Sequence, residues 1–326
     1  MLLWCDFFSL PGADVSLNYL IIRLAQILPT FFLIMVIVFV LVHLLPGDPT
    51  SAILGIHATE EAVNRINEQL GLNRSIPVQF LLFLRNFFRG DLGDSIILKV
   101  PVVSLILERL PVTLFLTGFA AVLAVLLAVP MAMLAALRRD SALDGAIRTG
   151  FQIGLSMPVF YIGLVLLTFF AARLRWFPVG GFGTSFGEDL YHLFLPALTL
   201  ALSLAAVLMR SLRNGLIEVL NAEYVDFARA KGLRSRLVLG RHVLRNALIS
   251  TVALFGLNIG TLLGGAVVTE TVYAIPGIGR LMIDSIYGRD YPVIQGLTLT
   301  LAILVSLVFL ATDLAQAALD PRIARR

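Results

Sequence analysis

Charge is scarce in this sequence. Of its 326 residues only 14% are Asp, Glu, Lys or Arg, whereas 58% are hydrophobic and the mean hydropathy is +0.91. Soluble domains carry roughly 25% charged residues, and a soluble domain of this length would still need a mostly polar shell. The composition therefore excludes a water-soluble globular domain and indicates an integral membrane protein.

Residues that carry chemistry are also scarce. The single cysteine, Cys5, excludes an internal disulfide and a cysteine-cluster metal site. Neither of the two lysines, Lys99 and Lys231, follows a glycine, so the G-x-x-x-x-G-K-[ST] phosphate loop is absent. There is no H-E-x-x-H pattern and no arrangement of nucleophile and base typical of an enzyme. We therefore expect no catalytic, cofactor-binding or metal-binding residue in this chain.

Six long runs without Asp, Glu, Lys or Arg divide the chain. At a rise of about 1.5 Å per residue, about 20 residues cross a hydrocarbon core of about 30 Å. Each run is long enough to do so, which predicts an all-α integral membrane protein with six transmembrane helices. The runs are 24–47, 110–137, 149–172, 190–209, 246–269 and 291–312.

Basic residues are distributed unevenly between the short loops. The loops 138–148 and 210–245 hold three and eight basic residues, whereas the loops 173–189 and 270–290 hold two each. Because Lys and Arg are enriched in cytoplasmic loops, the first two loops are predicted to be cytoplasmic. An even number of helices then places both termini in the cytoplasm. The same bias explains the net charge of +4 without nucleic-acid binding.

These patterns divide the chain into segments. Within the external segment, one helical pattern opens at Thr59 and a second, rich in phenylalanine, opens at Pro77. Both predict short helices at the membrane interface or against other helices. The predicted segments are a cytoplasmic lead-in at 1–19, a first transmembrane helix at 20–47, an external segment at 48–109, the remaining helices at 110–318 and a cytoplasmic tail at 319–326.

Prolines and glycines occur inside the predicted membrane helices. Pro130, Pro158 and Pro196 either kink their helices without a further role or shape a pathway. Three glycines of the fifth helix recur every four residues and so share a face that permits close approach. This face packs within the chain, or it forms an interface with another subunit or a moving pathway wall. The three are Gly256, Gly260 and Gly264.

The six runs hold no charged residue. Ion-driven carriers usually place such residues at mid-membrane, where each costs at least about 2.5 kcal/mol and is kept for function. Their absence argues against a self-powered secondary carrier. It fits a conduit whose energy is supplied by another protein.

The segment 222–249, AEYVDFARAKGLRSRLVLGRHVLRNALI, is a basic island between two apolar runs. Residues 216–231 lack Gly and Pro, which predicts a short helix on the cytoplasmic surface, ended by Gly232. One face of this helix combines aromatic and small residues and suits a partner's groove. That face holds Tyr224, Phe227, Ala228 and Lys231. Arg234, Arg236, Arg241 and Arg245 are better explained by the charge rule and contact with lipid phosphates.

The sequence resembles the ABC importer permeases, in particular their dipeptide, oligopeptide and nickel branch. The resemblance rests first on EYVDFARAKGL and RHVLRNAL within the loop 213–245. It extends over nearly the whole chain, through LLPGDP, GDLGDS, RLPVTL, LPALTLAL, ETVYAIPGIGRLMIDSI, RDYPVIQG and ALDPRI. It implies an importer-type transmembrane domain at 110–318 in the bacterial inner membrane, with the segment 48–109 in the periplasm.

The resemblance also implies a role for the basic island, as a coupling helix that docks on a cytoplasmic ATPase subunit. Asp226, Ala228 and Gly232 match the permease signature, although Asp226 stands where Glu is usual and Leu244-Arg245 stands where Leu-Pro is frequent. The implied coupling residues are Glu223, Tyr224, Asp226, Phe227, Ala228, Arg229, Ala230, Lys231 and Gly232.

The resemblance further implies a set of partners. These are a homologous second permease, two ATPase subunits that hold ATP and Mg, a periplasmic solute-binding protein docked on 48–109 and 270–290, and membrane lipid. The expected solutes are di- and oligopeptides. Nickel chelates, glutathione and other small solutes remain alternatives, because selectivity in such importers lies largely with the binding protein.

Overall fold

The structure is a computed structural model that describes residues 17–44 and 73–319. These residues are nearly all helical, and among them the only extended pairing is an isolated bridge between Asp94 and Pro101. The helices are α1 (Leu17–Leu44), α2 (Ile76–Phe88), α3 (Val102–Leu137), α4 (Ala142–Ser156), α5 (Val159–Arg173), α6 (Phe186–Leu220), α7 (Glu223–Ala230), α8 (Ser235–Val272), α9 (Ile278–Gly288) and α10 (Tyr291–Leu319).

Several helices are long and apolar enough to cross a membrane. Within the described residues these are α3, α6, α8 and α10, and the bent pair α4–α5 adds a fifth if it forms one span. The first predicted span falls on α1. The all-α membrane fold is therefore confirmed, whereas the count of six spans and the cytoplasmic position of the termini stay predictions.

The third predicted span is not one helix. α4 ends at Ser156, Met157 is extended, and α5 begins after Pro158 at an angle of 105° to α4. Proline lacks an N–H and disfavours a helical conformation of the residue before it. The expectation of one helix over 149–172 is therefore wrong. Pro130 and Pro196, in contrast, lie inside the continuous helices α3 and α6.

The core is a close contact between α3 and α6. α3 buries an alanine at every fourth residue, and α6 contributes alanines and leucines to the same cluster. Such small side chains let two helix backbones approach closely inside a membrane. α8 packs against α6, and α10 packs against α8. The alanines of α3 are Ala120, Ala124, Ala128, Ala132 and Ala136.

Helix α2 lies against α1 through phenylalanine rings. The centroids of Phe80 and Phe39 are 5.2 Å apart, and those of Phe87 and Phe31 are 5.6 Å apart. α2 corresponds to the helix expected from Pro77, and its aromatic side contacts another helix of the chain. The helix expected from Thr59 lies outside the described residues.

Contacts between loops separate the molecule into two ends. The inner end holds the segments 138–148 and 210–245, which an ion pair between Asp144 and Arg213 joins. The outer end holds the segments 89–101 and 273–290, which a hydrogen bond from Ser95 to Asp290 joins. The charge rule predicts that the inner end is the cytoplasmic one.

Candidate functional site

The basic island folds as a short separate helix, α7, at the inner end. α6 continues to Leu220, where the Asn221 side chain donates a hydrogen bond of 2.9 Å to the carbonyl of Ile217. Asparagine side chains compete with the backbone in this way and favour helix ends. Ala222 is extended, and α7 begins at Glu223. The expectation of one helix over 216–231 is therefore wrong.

The buried face of α7 consists of Val225 and Ala228. Val225 is completely buried and Ala228 is 8% exposed, and both belong to one apolar cluster with Val238 and Val243 of α8. α7 thus packs on the first turns of α8, where residues Val238–Leu244 form a π-helical stretch. The expectation that Ala228 faces a partner's groove is wrong, because a helical wheel does not reveal which side is covered.

The remaining predicted residues of this segment are exposed. Phe227 is 67% exposed and Tyr224 is 44% exposed. Asp226 and Arg229 form an exposed ion pair of 3.7 Å, which contributes little to stability. The exposed set is Glu223, Tyr224, Asp226, Phe227, Arg229, Ala230, Lys231 and Gly232. α7 therefore offers an aromatic and charged surface to the solvent.

Gly232 ends α7 by its backbone conformation. Its φ is +76°, and its N–H donates to the carbonyl of Arg229 at 2.9 Å. Such left-handed residues after a helix are usually glycine. No described atom lies within 4 Å of the position a Cβ would take. Gly232 is thus required for the turn and not for close packing.

Asn246 connects α7 to α8, and the sequence did not single it out. Its side-chain amide donates to the hydroxyl oxygen of Tyr224 at 2.9 Å and to the carbonyl of His242 at 2.8 Å. Its position within RHVLRNAL was the available signal. Together with the apolar contact of Val225 and Ala228, this bond attaches α7 to a membrane helix.

The three glycines of α8 differ in their surroundings. A Cβ on Gly256 would overlap Thr312 of α10, and one on Gly260 would meet Phe309 and Val305 at 3.6 Å. Gly264 is open, with no described atom within 4 Å of such a Cβ. The structure therefore brings Gly256 and Gly260 against α10, but not Gly264.

A buried ion pair at the inner end was not predicted. Arg213 of α6 donates from Nε to Oδ1 of Asp144 at 2.7 Å and from Nη2 to Oδ2 at 2.5 Å. Ser141 caps α4 by accepting from the N–H of Asp144. The spacing of Ser141 and Asp144 is typical of a helix start, and it was the only local signal.

A buried carboxylate organises the outer end. Glu270 accepts from the Thr113 hydroxyl at 2.6 Å and from the backbone N–H groups of Gly279 and Arg280 at 2.8 and 3.1 Å. The side chain therefore joins α8 to α3 and to the first turn of α9, where negative charge is favoured. Glu270 opens the motif ETVYAIPGIGRLMIDSI, but nothing local predicted its partners.

The long apolar helices and their small-residue packing define a multi-pass helical membrane protein. Comparison with protein families specifies it further. Residues 128–325 match the binding-protein-dependent transport system inner membrane component, and residues 16–117 match the N-terminal part of a membrane component of the same systems. The chain belongs to this family of ABC importer permeases, which confirms the resemblance seen in the sequence. It is a transporter component and not an enzyme.

Curated relatives cover nearly the same length. The chain is 39% identical over 309 residues to a probable peptide ABC transporter permease, y4tP, of Sinorhizobium fredii, covering 94% of this chain and 98% of the relative. It is 41% identical over 307 residues to the glutathione transport system permease GsiC of Pectobacterium atrosepticum, covering 94% and 99%. The corresponding GsiC of Escherichia coli is 39% identical with the same coverage.

Solved structures show the same fold. An inward-facing structure of the MetNI methionine ABC transporter superposes with a TM-score of 0.56 at 20% identity, covering 66% of this chain and 96% of that one. The match supports an importer-type transmembrane fold.

Proposed function

We propose that the chain is a permease subunit of an ATP-driven importer in the bacterial inner membrane, with small peptides as its solutes. The names of the relatives support this class, since one is a probable peptide permease and glutathione is itself a tripeptide. A homologous second permease completes the pathway, and a periplasmic binding protein delivers the solute to the outer end. Nickel chelates and other small solutes are the alternatives.

Two cytoplasmic ATPase subunits supply the energy and hold the ATP and Mg, none of which is bound by this chain. α7 is the coupling helix. Its exposed face, with Phe227 and Tyr224, docks in a cleft of the ATPase. Aromatic anchors are the residues that most often dominate such contacts.

The observation that carries the proposal is the attachment of α7 to α8. Val225 and Ala228 seat one face of α7 on the first turns of α8, while the opposite face is exposed. α8 then continues from Ser235 to Val272, a length of roughly 57 Å at 1.5 Å per residue. Movement of an ATPase subunit against α7 is therefore passed along one helix to the outer end, as a rigid-body shift between two states.

The proposal is tested by a pair of reciprocal variants in the assembled importer. Phe227→Asp puts a charge on the exposed face of α7, and we expect at least about tenfold weaker ATPase association, since loss of a central aromatic anchor costs about 2 kcal/mol or more. Uptake of trialanine into proteoliposomes should fall in parallel.

Tyr287→Asp is the matched change at the outer end, on α9, where the side chain is 86% exposed. ATPase association should stay unchanged in this variant. The binding protein should stimulate uptake less than it does in the parent importer. Normal ATPase association and normal uptake in Phe227→Asp would refute the role of α7.

A further inference from the structure

We propose that a groove between α4 and α6 at the inner end is a water-filled part of the translocation pathway, in which Arg148 and Arg210 attract the carboxylate of the solute. The groove is a cavity of about 620 Å³. The assignment of its occupant rests on the proposed function. Its polar lining, which lies beside apolar residues such as Phe151, Ile153 and Met209, is Arg148, Thr149, Gln152, Ser156, Arg210, Arg213 and Asn214.

The groove ends where α4 breaks. Ser156 and Met157 line it, and Pro158 follows without an N–H to donate to the carbonyl of Gly154. Residues 149–172 are uncharged, and the break falls inside this apolar run. Non-helical backbone at membrane depth is tolerated only where it is buried in protein or lines a water-filled cavity. Met157 and Pro158 are exposed in this chain, which fits the second condition.

Polar side chains lie on both walls of the groove. On α4, Thr149, Gln152 and Ser156 follow each other at helical spacing, and on α6 Arg210 and Asn214 do the same. The exposed face of α3 differs, because it presents Leu107, Leu114, Val122 and Leu126. Lipid chains fit the surface of α3, whereas in the groove they would leave amide and guanidinium groups without partners. The groove therefore holds water.

The charges of the groove do not cancel. Arg213 satisfies both carboxylate oxygens of Asp144. Arg148 reaches the same carboxylate only at 3.5 Å and is 57% exposed. Arg210 is exposed and forms no ion pair within the described residues, although Glu218 lines an adjoining groove with it. The lining thus holds three arginines, of which Arg213 and Arg148 share the carboxylate of Asp144. The excess positive charge matches the carboxylate that every unmodified peptide carries.

The test uses single cysteines, since Cys5 is the only native one. In a Cys5→Ser background, the assembled importer in nanodiscs carries Gln152→Cys or Ser156→Cys in the groove, or Leu126→Cys on α3. Each is treated with anionic methanethiosulfonate ethylsulfonate and with its cationic trimethylammonium counterpart. We expect both groove cysteines to react and the cysteine at 126 to stay unmodified.

The role of charge is tested by a ratio of two rates, that of the cysteine with the anionic reagent divided by that with the cationic reagent. Adding Arg148→Gln and Arg210→Gln should lower this ratio at the groove cysteines about fivefold or more, because two unit charges act within about a Debye length. Arg139→Gln is the matched control, since Arg139 lies at the same end outside the groove lining and pairs with Asp140. It should leave the ratio unchanged.

The outcomes separate this inference from the proposed function. Groove cysteines that react only with the lipid-soluble N-ethylmaleimide would show a lipid-filled groove and overturn the inference. An unchanged rate ratio in the double arginine variant would overturn the role of charge. Uptake is measured separately, with trialanine and its C-terminal amide, and the arginine variants should reduce uptake of trialanine more. Absence of any uptake by the parent would count against the proposed function alone.

Discussion

The outer and inner ends of the molecule are held together by different kinds of contact. At the outer end, Glu270 and Asp290 each accept three hydrogen bonds, two of them from backbone N–H groups. At the inner end, Asp144 meets the side chain of Arg213 and accepts a single backbone N–H, from Asp140 at 3.1 Å. Backbone donors fix a geometry because they cannot rotate away, whereas two side chains can be replaced together or can follow a movement.

The glycines beside Glu270 and at the end of α7 also differ. A Cβ on Gly277 or Gly279 at the outer end would overlap Glu270 or the backbone of Val267. The positions around Gly232 and Gly240 at the inner end are open among the described atoms. The difference is local, since Gly215 at the inner end would meet Ala247 at 3.3 Å and Gly90 at the outer end is open. Elements that move are drawn from the loosely packed parts of a protein. The surroundings of Glu270 are therefore packed more tightly than the end of α7, and the open turn at Gly232 fits the movement proposed for α7.

The largest expected effect is at Glu270. Glu270→Ala leaves the Thr113 hydroxyl and two backbone N–H groups buried without an acceptor, so we expect a loss of about 3 to 5 kcal/mol in the free energy of unfolding. Glu270→Gln keeps an acceptor and should cost about half as much. SDS titration in mixed micelles measures both. Glu218→Ala, an exposed position of α6, is the control, and a loss as small as that of the control would contradict the assigned role.

The ion pair at the inner end should behave differently when both partners change. Asp144→Leu alone leaves Arg213 largely buried without its partner, and we expect a loss of about 2 to 3 kcal/mol. Adding Arg213→Met should restore most of this, since an apolar pair of similar volume often replaces a buried ion pair. The same SDS titration measures the stability of the single and double variants. No such rescue exists for Glu270, whose partners are mostly backbone, and a double variant as unstable as Asp144→Leu would remove the contrast.

The fold could be predicted from the sequence where one physical rule decides. Charged groups are costly in hydrocarbon, so the uncharged runs located α3, α6, α8 and α10. The run-length rule counts consecutive uncharged residues and gives no information on the direction of a helix axis. It therefore predicted one unbroken helix over 149–172 although the sequence contains Pro158, because the size of the bend between α4 and α5 depends on what surrounds them. α3 also begins at Val102, before its run, where Glu108 and Arg109 lie within the helix.

The helix α7 was predictable from the sequence, but its packing was not. The polarity of 222–249 predicted a short helix ended by Gly232, which the structure has, whereas its position at the membrane surface and its coupling role stay predictions. The helical-wheel projection grouped Ala228 with Phe227 on one face. Ala228 is nevertheless buried, because α7 packs on α8 through that side chain. The pairs Asp144–Arg213 and Glu270–Thr113 lie 69 and 157 residues apart in sequence. Such pairs are set by tertiary structure and leave no pattern in a single sequence.

The smallest expected effect compares two glycines with the same backbone conformation. Gly232 ends α7 at the inner end and Gly90 follows α2 at the outer end, both with a φ of +76° and no described atom within 4 Å of a Cβ. Alanine at either position should cost about 1 kcal/mol of stability, because left-handed backbone is unfavourable for it. The two variants should differ in the amount of solute transported per ATP hydrolysed. This ratio should fall only in Gly232→Ala, since that strain acts on the end of α7 that is proposed to contact the ATPase. Equal transport ratios in the two variants would mean that α7 tolerates a shift of its end, and that the looseness of the inner end is not used for coupling.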